Sequence, residues 1–458
     1  MEINSEQLMA MAQFVNQKSQ NAGMDGSFVN ARLNQVFSTR FANSAIHQNF
    51  SDFETSLEIS LIDGKKRITL TTNSVKEARV GKVVDKGLQL INILPEDPNF
   101  PGILTEPQQY VKLQLNDPNA KNLEPSDVAD KIIAGINTAH EFSDNVKTVS
   151  GNINLRDGFS YYLSSEGQEN LTPTTAIAAT INTMADDGKG ESRSNSLFGG
   201  RNFAKLPFEA EAESVAERAV LGLDAQDIEP KETTVVLDFQ AAADQMFWVG
   251  ICHSAKLILD HMSFLTDKIG EQVFSKSLTI INDPHNPELL SATALDGEGI
   301  ATKKLTLVQN GVVENFAYDR QTASEMGTVT NGCGVLMKHF GFIPFPFALT
   351  LQPGDKSRQK LIEGVDDGLL VTNLHYTNMV DWARGIQTGM TKDGLFMIKN
   401  GEIIGSARNL RFTDSIIERL RSAELSKEVS QVTGHFGFSV AVPSMRIESM
   451  KFTSKALH

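Results

Sequence analysis

The sequence predicts an α+β fold in two halves, residues 1–225 and 226–458, and three observations carry this. Segments with the 3.6-residue apolar period of a helix and segments that alternate apolar and polar residues are mixed along the 458 residues. They lack the regular strand–helix–strand order that a doubly wound parallel sheet needs. Asp-Gly and Asn-Gly pairs sit between alternating runs, a strong short signal for antiparallel hairpins because the turn needs positive φ. An acidic stretch from Asp224 to Glu232 then closes the first half.

Taken in order, Ser5 to Gln20 has Leu8, Met9, Met11 and Val15 at roughly helical spacing and opens the chain as a helix. Leu57–Leu61 and Arg67–Leu70 alternate around Asp63-Gly64 and form a hairpin. Ser74 caps a helix through about Leu94, with Val80, Val83, Val84, Leu88 and Ile91 on its apolar face. Pro95 to Pro107 is a loop by its proline, asparagine and aspartate content. Ser126 to Phe142 is a second long helix with Ile132, Ile133 and Ile136 inward, and strands run from about Val146 to Thr183 with a second hairpin at Asp157-Gly158. Asp186 to Asn202 has no apolar periodicity and four glycines, which predicts an exposed, mobile loop. Phe208 to Leu221 is an alanine- and glutamate-rich helix.

The second half opens on a buried strand, Thr233 to Phe239, and a helix from Ala241 to about Asp260. Asn310-Gly311 and Asn400-Gly401 each join two alternating runs as hairpins. A late helix covers Thr413 to Ala423, and Phe438 to Phe452 is a strand.

Composition excludes several classes. Hydrophobic residues are 40% of the chain, enough for sizeable cores. Lys and Arg number 42 against 56 Asp and Glu, a net charge of −14, and no basic run reaches five residues. Direct binding to a phosphate backbone is therefore not expected. Met1 to Gln20 lacks a basic segment followed by an apolar one, so no secretory leader is expected, and no run of 18 apolar residues is present to span a bilayer as a helix. With two distant cysteines, Cys252 and Cys333, the expectation is a soluble cytoplasmic protein with reduced thiols.

No constellation of residues passes a geometric test for catalysis. His253 and His261 are eight residues apart, ~12 Å along one helix, too far to share a zinc ion. Cys252 and His253 are neighbours and point about 100° apart, so they make a poor nucleophile and base. Cys333 is flanked by glycines in Asn331-Gly332-Cys333-Gly334, a setting compatible with reactivity only if the thiol is exposed. Gly188-Lys189-Gly190-Glu191-Ser192 has the wrong spacing for a phosphate loop. Asp296-Gly297-Glu298-Gly299 gathers carboxylates, but Ile300-Ala301 breaks the ligand pattern of a calcium loop, leaving tight-turn chemistry.

Several segments, in order, resemble the TldD/PmbA family. They are Thr39–Gln48, Ser164-Ser165-Glu166-Gly167, Lys268–Ser275, Leu278–Pro284, Leu295–Gly299, Asn310-Gly311-Val312, Thr322-Ala323, Thr330-Asn331-Gly332, Gln352-Pro353-Gly354 and Phe396–Ile403. The resemblance implies a peptide-processing role, and catalytic members carry H-E-x-x-x-H on a helix upstream of the Gly270-Glu271 block. Counting back without gaps puts Met246, Phe247 and Ile251 where the two metal histidines and the general base would stand. The C-terminal cysteine ligand is also missing from Gly434-His435-Phe436-Gly437. The chain thus resembles the PmbA (TldE) type, a non-catalytic partner of a TldD-like zinc peptidase that helps hold an unfolded peptide as an added strand. Zinc is expected only in that catalytic subunit. The family's older name, modulator of DNA gyrase, would be indirect, through peptides that act on gyrase. A stand-alone peptide-binding homodimer is the alternative. A third reading is a relocated metal site drawn from Cys252, His253, His261 and His435. Asp296, Glu298 and Asn331, in the densest matching region, are the candidate peptide-binding residues. Dimerisation is expected through the second half, where residues 246–251 form a large apolar run.

Overall fold

The structure, a computed structural model, describes residues 5–337, 340–433 and 439–456. The first half is one six-stranded antiparallel sheet and four helices. Its elements are α1 (Ser5–Asn21), β1 (Gly26–Ala42), β2 (Ala45–Asp63), β3 (Lys66–Thr72), α2 (Glu77–Ile93), α3 (Pro125–Phe142), β4 (Val146–Ser164), β5 (Glu169–Asp186), β6 (Glu191–Gly200) and α4 (Phe208–Leu221). The strands lie in the order β3-β2-β1-β4-β5-β6. One face is apolar by the strand period of two. Val29, Leu33, Leu57 and Ile59 pack there with Leu8, Val15, Val80 and Val84 of α1 and α2. Further along, Phe41, Ile153 and Ile181 pack with Ile132, Phe208 and Val215 of α3 and α4.

The second half follows as β7 (Glu232–Leu237), α5 (Phe239–Cys252), α6 (Ala255–Leu259), β8 (Ile280–Asn282), β9 (Leu305–Gln309), β10 (Val312–Val313), α7 (Arg320–Glu325), β11 (Gly334–Met337), β12 (Gly341–Pro344) and β13 (Leu349–Leu351). It ends with α8 (Arg358–Glu363), β14 (Asp367–Asp381), β15 (Ile386–Lys399), β16 (Glu402–Ser406), β17 (Leu410–Ser415), α9 (Ile416–Leu420), β18 (Glu424–Thr433) and β19 (Ser439–Lys455). Eleven of these strands share one sheet. Because β7 pairs with both β14 and β19, the path β19-β17-β15-β14-β7 closes on itself into a ring. Val235, Leu237, Val371, Leu395, Phe412 and Ile447 supply part of the largest core.

The α+β class stands, and so do most elements. The hairpins at Gly64, Asn310-Gly311 and Asn400-Gly401 form as expected, with φ of 49° and 81° at the first Asn-Gly and 48° and 81° at the second. Six expectations need correction. Asp157-Gly158 is no turn: β4 runs straight through it, with Gly158 opposite Asn34 and Thr174. The turn comes at Gly167, φ 84°. The alternation of Ile153 and Leu155 is interrupted only at Asp157 and resumes in phase at Phe159, Tyr161 and Leu163, and that signal outranks a lone dipeptide. Gly158 is there for space, since a Cβ would lie 1.9 Å from the Leu33 carbonyl oxygen.

The segment Asp186–Asn202 is not a mobile loop. Glu191–Gly200 is strand β6, paired residue for residue with β5, and only residues 187–190 turn. Ser194, Ser196 and Phe198 are its buried positions. Serine conceals the period because its side chain is small enough to bury yet scores as polar. The helix expected from Ser74 begins at Glu77, while Ser74 Oγ accepts from the Lys76 N–H at 3.2 Å. Ile133 points outward, 47% exposed, one position round the helix from buried Ile132 and Ile136. The helix 241–260 is two helices. Between them the His253 carbonyl and the Ala255 N–H bond to Ala317 at 2.8 and 3.0 Å, pulling the backbone out of the spiral. Thr413–Ser415 stays in β17, leaving α9 short.

Candidate functional site

Helix α5 carries the positions that the resemblance singles out. Asp238 ends β7 and caps the helix, its Oδ1 accepting from the Phe239 N–H at 3.1 Å. Arg358 forks onto the same carboxylate at 2.9 and 2.7 Å, and Ser444 Oγ donates to it at 2.8 Å. Burial pushes the Asp238 carboxyl up, but the Arg358 charge and hydrogen bonds outweigh it and hold the group below its ordinary range. The start of α5 is thereby tied to α8 and β19. At Gly250 a Cβ would meet Leu349 Cδ1 at 2.7 Å, so a larger residue there would force the Leu349 side chain on β13 to move.

The middle of α5 is an apolar knot. Met246 is fully buried and Phe247 nearly so. Phe247 meets Trp248 and Phe345 edge-on, with ring centroids 5.4 and 6.2 Å apart, and Trp248 meets Trp382 at 5.8 Å. The Trp248 indole N–H donates to Thr377 Oγ1 at 3.0 Å, and that hydroxyl donates to Asp244 Oδ1 at 2.8 Å. This satisfies the polar tip of a large half-buried ring. Beside it, β14 from Asn373 to Asp381 has a ladder partner only on the β15 side among the described residues. Tyr376 and Val380 stand exposed on that stretch, at 73% and 62%.

A zinc ion does not fit the positions 246, 247 and 251. Zinc takes thiolate, imidazole or carboxylate ligands, and its general base must accept a proton. Met246 offers a thioether sealed in a core, and Phe247 and Ile251 offer hydrocarbon. Among the described residues, no three His, Cys, Asp or Glu side chains converge to hold a metal ion. Cys252 and His253 are both buried at the end of α5. Burial raises the Cys252 thiol far above its ordinary value, so it stays protonated. His253 Nδ1 bonds the Val249 carbonyl at 2.8 Å, and burial pushes its pKa down to about 4. His261 lies outside both helices with φ 54°, exposed. His435 and its neighbours fall outside the described residues. Cys333 is buried, with its thiol raised by burial and by Asp296, and so lacks the exposure that reactivity needs.

Asp296, Glu298 and Asn331 all lie inside the protein. Asp296 accepts from the backbone N–H groups of Glu298, Ile300 and Gly334 at 2.9, 3.0 and 2.8 Å. Glu298 accepts from the Arg67 guanidinium at 2.5 Å and the Arg320 N–H at 2.9 Å. Asn331 accepts from the Tyr318 N–H at 2.8 Å and donates to the Phe316 carbonyl at 2.7 Å. The structure brings the two carboxylates together and ties them to the first half through Arg67, which lies over the rings of Phe342 and Phe100 at 4.3 and 4.8 Å. Sequence reading missed Thr377, Trp382 and Arg67. Each meets its partner only across 129 to 231 residues of chain, and no local pattern signals that.

Residues 230–454 match the family model described as the PmbA/TldA metallopeptidase C-terminal domain. The chain is 24% identical over 378 residues to a metalloprotease of Methanocaldococcus jannaschii, covering 80% of this chain and 82% of that one. It is 21% identical over 389 residues to a metalloprotease PmbA homologue of Haemophilus influenzae, covering 83% and 80%. Its fold is similar to the crystal structure of TldE from Thermococcus kodakarensis, with a TM-score of 0.86 at 20% identity over 98% of this chain and 100% of that one.

Proposed function

Because this chain belongs to the PmbA/TldD family of metallopeptidase-related proteins, we propose that it is a non-catalytic subunit of a peptide-processing complex, paired with a zinc-bearing homologue. The observation that supports this is the set of side chains at these positions: Met246 is sealed in the largest core, and Phe247 and Ile251 pack with Phe345 and Trp248. None of the three offers the thiolate, imidazole or carboxylate that zinc takes, and none can take a proton from water, so on this reading cleavage falls to another chain. The contribution of this chain is to position substrate. The stretch Asn373–Asp381 leaves one side of β14 open to an extended peptide, whose backbone would add as a strand. The exposed rings and aliphatic groups at Tyr376 and Val380 give that peptide apolar side-chain contacts. Zinc belongs to the partner.

The test is co-expression with a homologue that carries H-E-x-x-x-H, followed by sedimentation and metal analysis. The expected result is a discrete complex containing this chain, with zinc that is lost when the histidines of the homologue are replaced. A chain that self-associates and ignores the homologue supports a peptide-binding homodimer instead. A monomer that forms no complex removes both.

A further inference from the structure

The six-stranded sheet has a second face, opposite α1–α4. By the registers of β1, β4 and β5 it carries Asn30, Arg32, Asn34, Ser38 and Arg40, then Ser150, Asn152, Asn154 and Arg156, then Thr180 and Asn182. At its far end the sheet opens into a cleft of about 480 Å³, whose polar lining includes Arg40, His47, Gln48, Ser150, Asn152 and Asn182. Among the described residues no carboxylate lines it. Among the described residues Arg40 enters no ion pair, and its guanidinium is exposed. We propose that this cleft binds the carboxylate of an extended peptide, through the Arg40 guanidinium and the Asn152 amide. The proposal rests on the peptide-binding reading above and adds the group by which such a peptide is held.

The donors are pre-set by their own partners. Ser38 Oγ donates to Asn154 Oδ1 at 2.6 Å, and Asn154 Nδ2 donates to Asn152 Oδ1 at 2.7 Å. That relay occupies the acceptor of Asn152 and leaves its NH₂ to donate. The Nδ2 of Asn182 bonds the Ser150 carbonyl at 3.4 Å, which also assigns its amide as a donor. On β2 the pairing slips between Arg40 and Phe41, from Arg40 opposite Gln48 to Phe41 opposite Ile46. His47 is the extra residue of this bulge, and both His47 and Gln48 reach the cleft. The His47 Nε2 bonds the Ala42 carbonyl at 2.9 Å and fixes the ring. The turn itself is held by Asn43 and Ser44 at φ 50° and 58°, with Ser44 Oγ accepting from the Val149 N–H at 3.1 Å. A guanidinium with convergent amide donors and no local acid is the setting that a carboxylate selects.

The experiment uses the full chain and a fluorescein-labelled, unstructured decapeptide of Ala, Ser and Val in three forms: free C-terminal acid, C-terminal amide, and amide with one internal Glu. Fluorescence anisotropy at low salt reads the affinities. The acid is expected to bind at least about fivefold more tightly than the plain amide. Arg40→Gln should lower the affinity for the acid to that for the plain amide, and Asn152→Asp should reverse the preference. The Glu-bearing amide separates the two sources: affinity equal to the acid means that any carboxylate suffices, and affinity equal to the plain amide means a terminal one is read. Equal binding of acid and plain amide, unaffected by Arg40→Gln, overturns the carboxylate site while leaving peptide binding intact. No binding of any form overturns both. Circular dichroism of the variants confirms that the sheet is preserved.

Discussion

At the scale of single residues, the acidic cluster at the junction of the halves sets a pH dependence. Burial, and next the charge of Glu298, pushes the Asp296 carboxyl up to about 8, and burial with the same charge takes Asp319 to about 6. An unfolded aspartate titrates near 3.9. Between these values the folded chain holds more protons than the unfolded one, so the unfolding free energy falls as pH rises. The stability is present below about pH 4 and is lost progressively up to about pH 8, with Asp319 contributing over the lower part of that window. Thermal unfolding from pH 5 to 8.5 should show a midpoint that falls with pH, and Asp296→Asn should flatten the slope whatever it does to the absolute value. A slope unchanged in Asp296→Asn would assign the effect elsewhere. Arg67 is the cation of the same cluster. Arg67→Ala strips the buried Glu298 carboxylate of its partner and should cost about 3 kcal/mol by denaturant titration. A loss within experimental error would mean that Glu298 is solvated when Arg67 is gone.

At the scale of elements, β6 and β4 show what local sequence does and does not determine. The helices α1, α2 and α3 were legible because their apolar residues recur at helical spacing over four turns or more, and α4 because it is rich in alanine and glutamate. The Asn-Gly hairpins were legible because the turn chemistry is local. Strand β6 was hidden because its inward positions include Ser194 and Ser196, which are buried by pairing with β5 rather than by apolar preference. Hydrogen exchange should find the β5-bonded amides of residues 191–200 protected like those of β5, with fast exchange confined to 187–190. Uniformly fast exchange across 191–200 would mean that β6 is not paired. Gly158 tests the corrected path of β4. Gly158→Val drives a side chain into the Leu33 carbonyl and should cost about 3 kcal/mol or more, whereas a valine in a hairpin loop would be milder. The knot on α5 was half legible: the run Met246–Val249 declared itself apolar, but its partners Phe345 and Trp382 lie on segments some hundred residues away and could be placed only by the fold.

For the whole molecule, family and fold class were within reach of the sequence because many short segments occur in the family's order. The closed ring of β19, β17, β15, β14 and β7 was not, because it depends on β7 pairing with strands more than a hundred residues downstream. The candidate peptide residues show the same limit. Asp296 and Glu298 belong to the best-matching segment, and in the fold their carboxylates bond the chain's own backbone and Arg67. The proposed peptide-holding role draws on two features of the described residues: the side of β14 without a ladder partner over Asn373–Asp381, and the cleft lined by Arg40 and Asn152 at the end of the other sheet. The claim that unites these features is that this chain holds peptide and does not cut it. Its most direct test is incubation of the pure chain, supplied with zinc, with an unfolded casein-like substrate and analysis by mass spectrometry. The account predicts intact substrate with and without chelator; fragments that appear with the pure chain and vanish on chelation would contradict it.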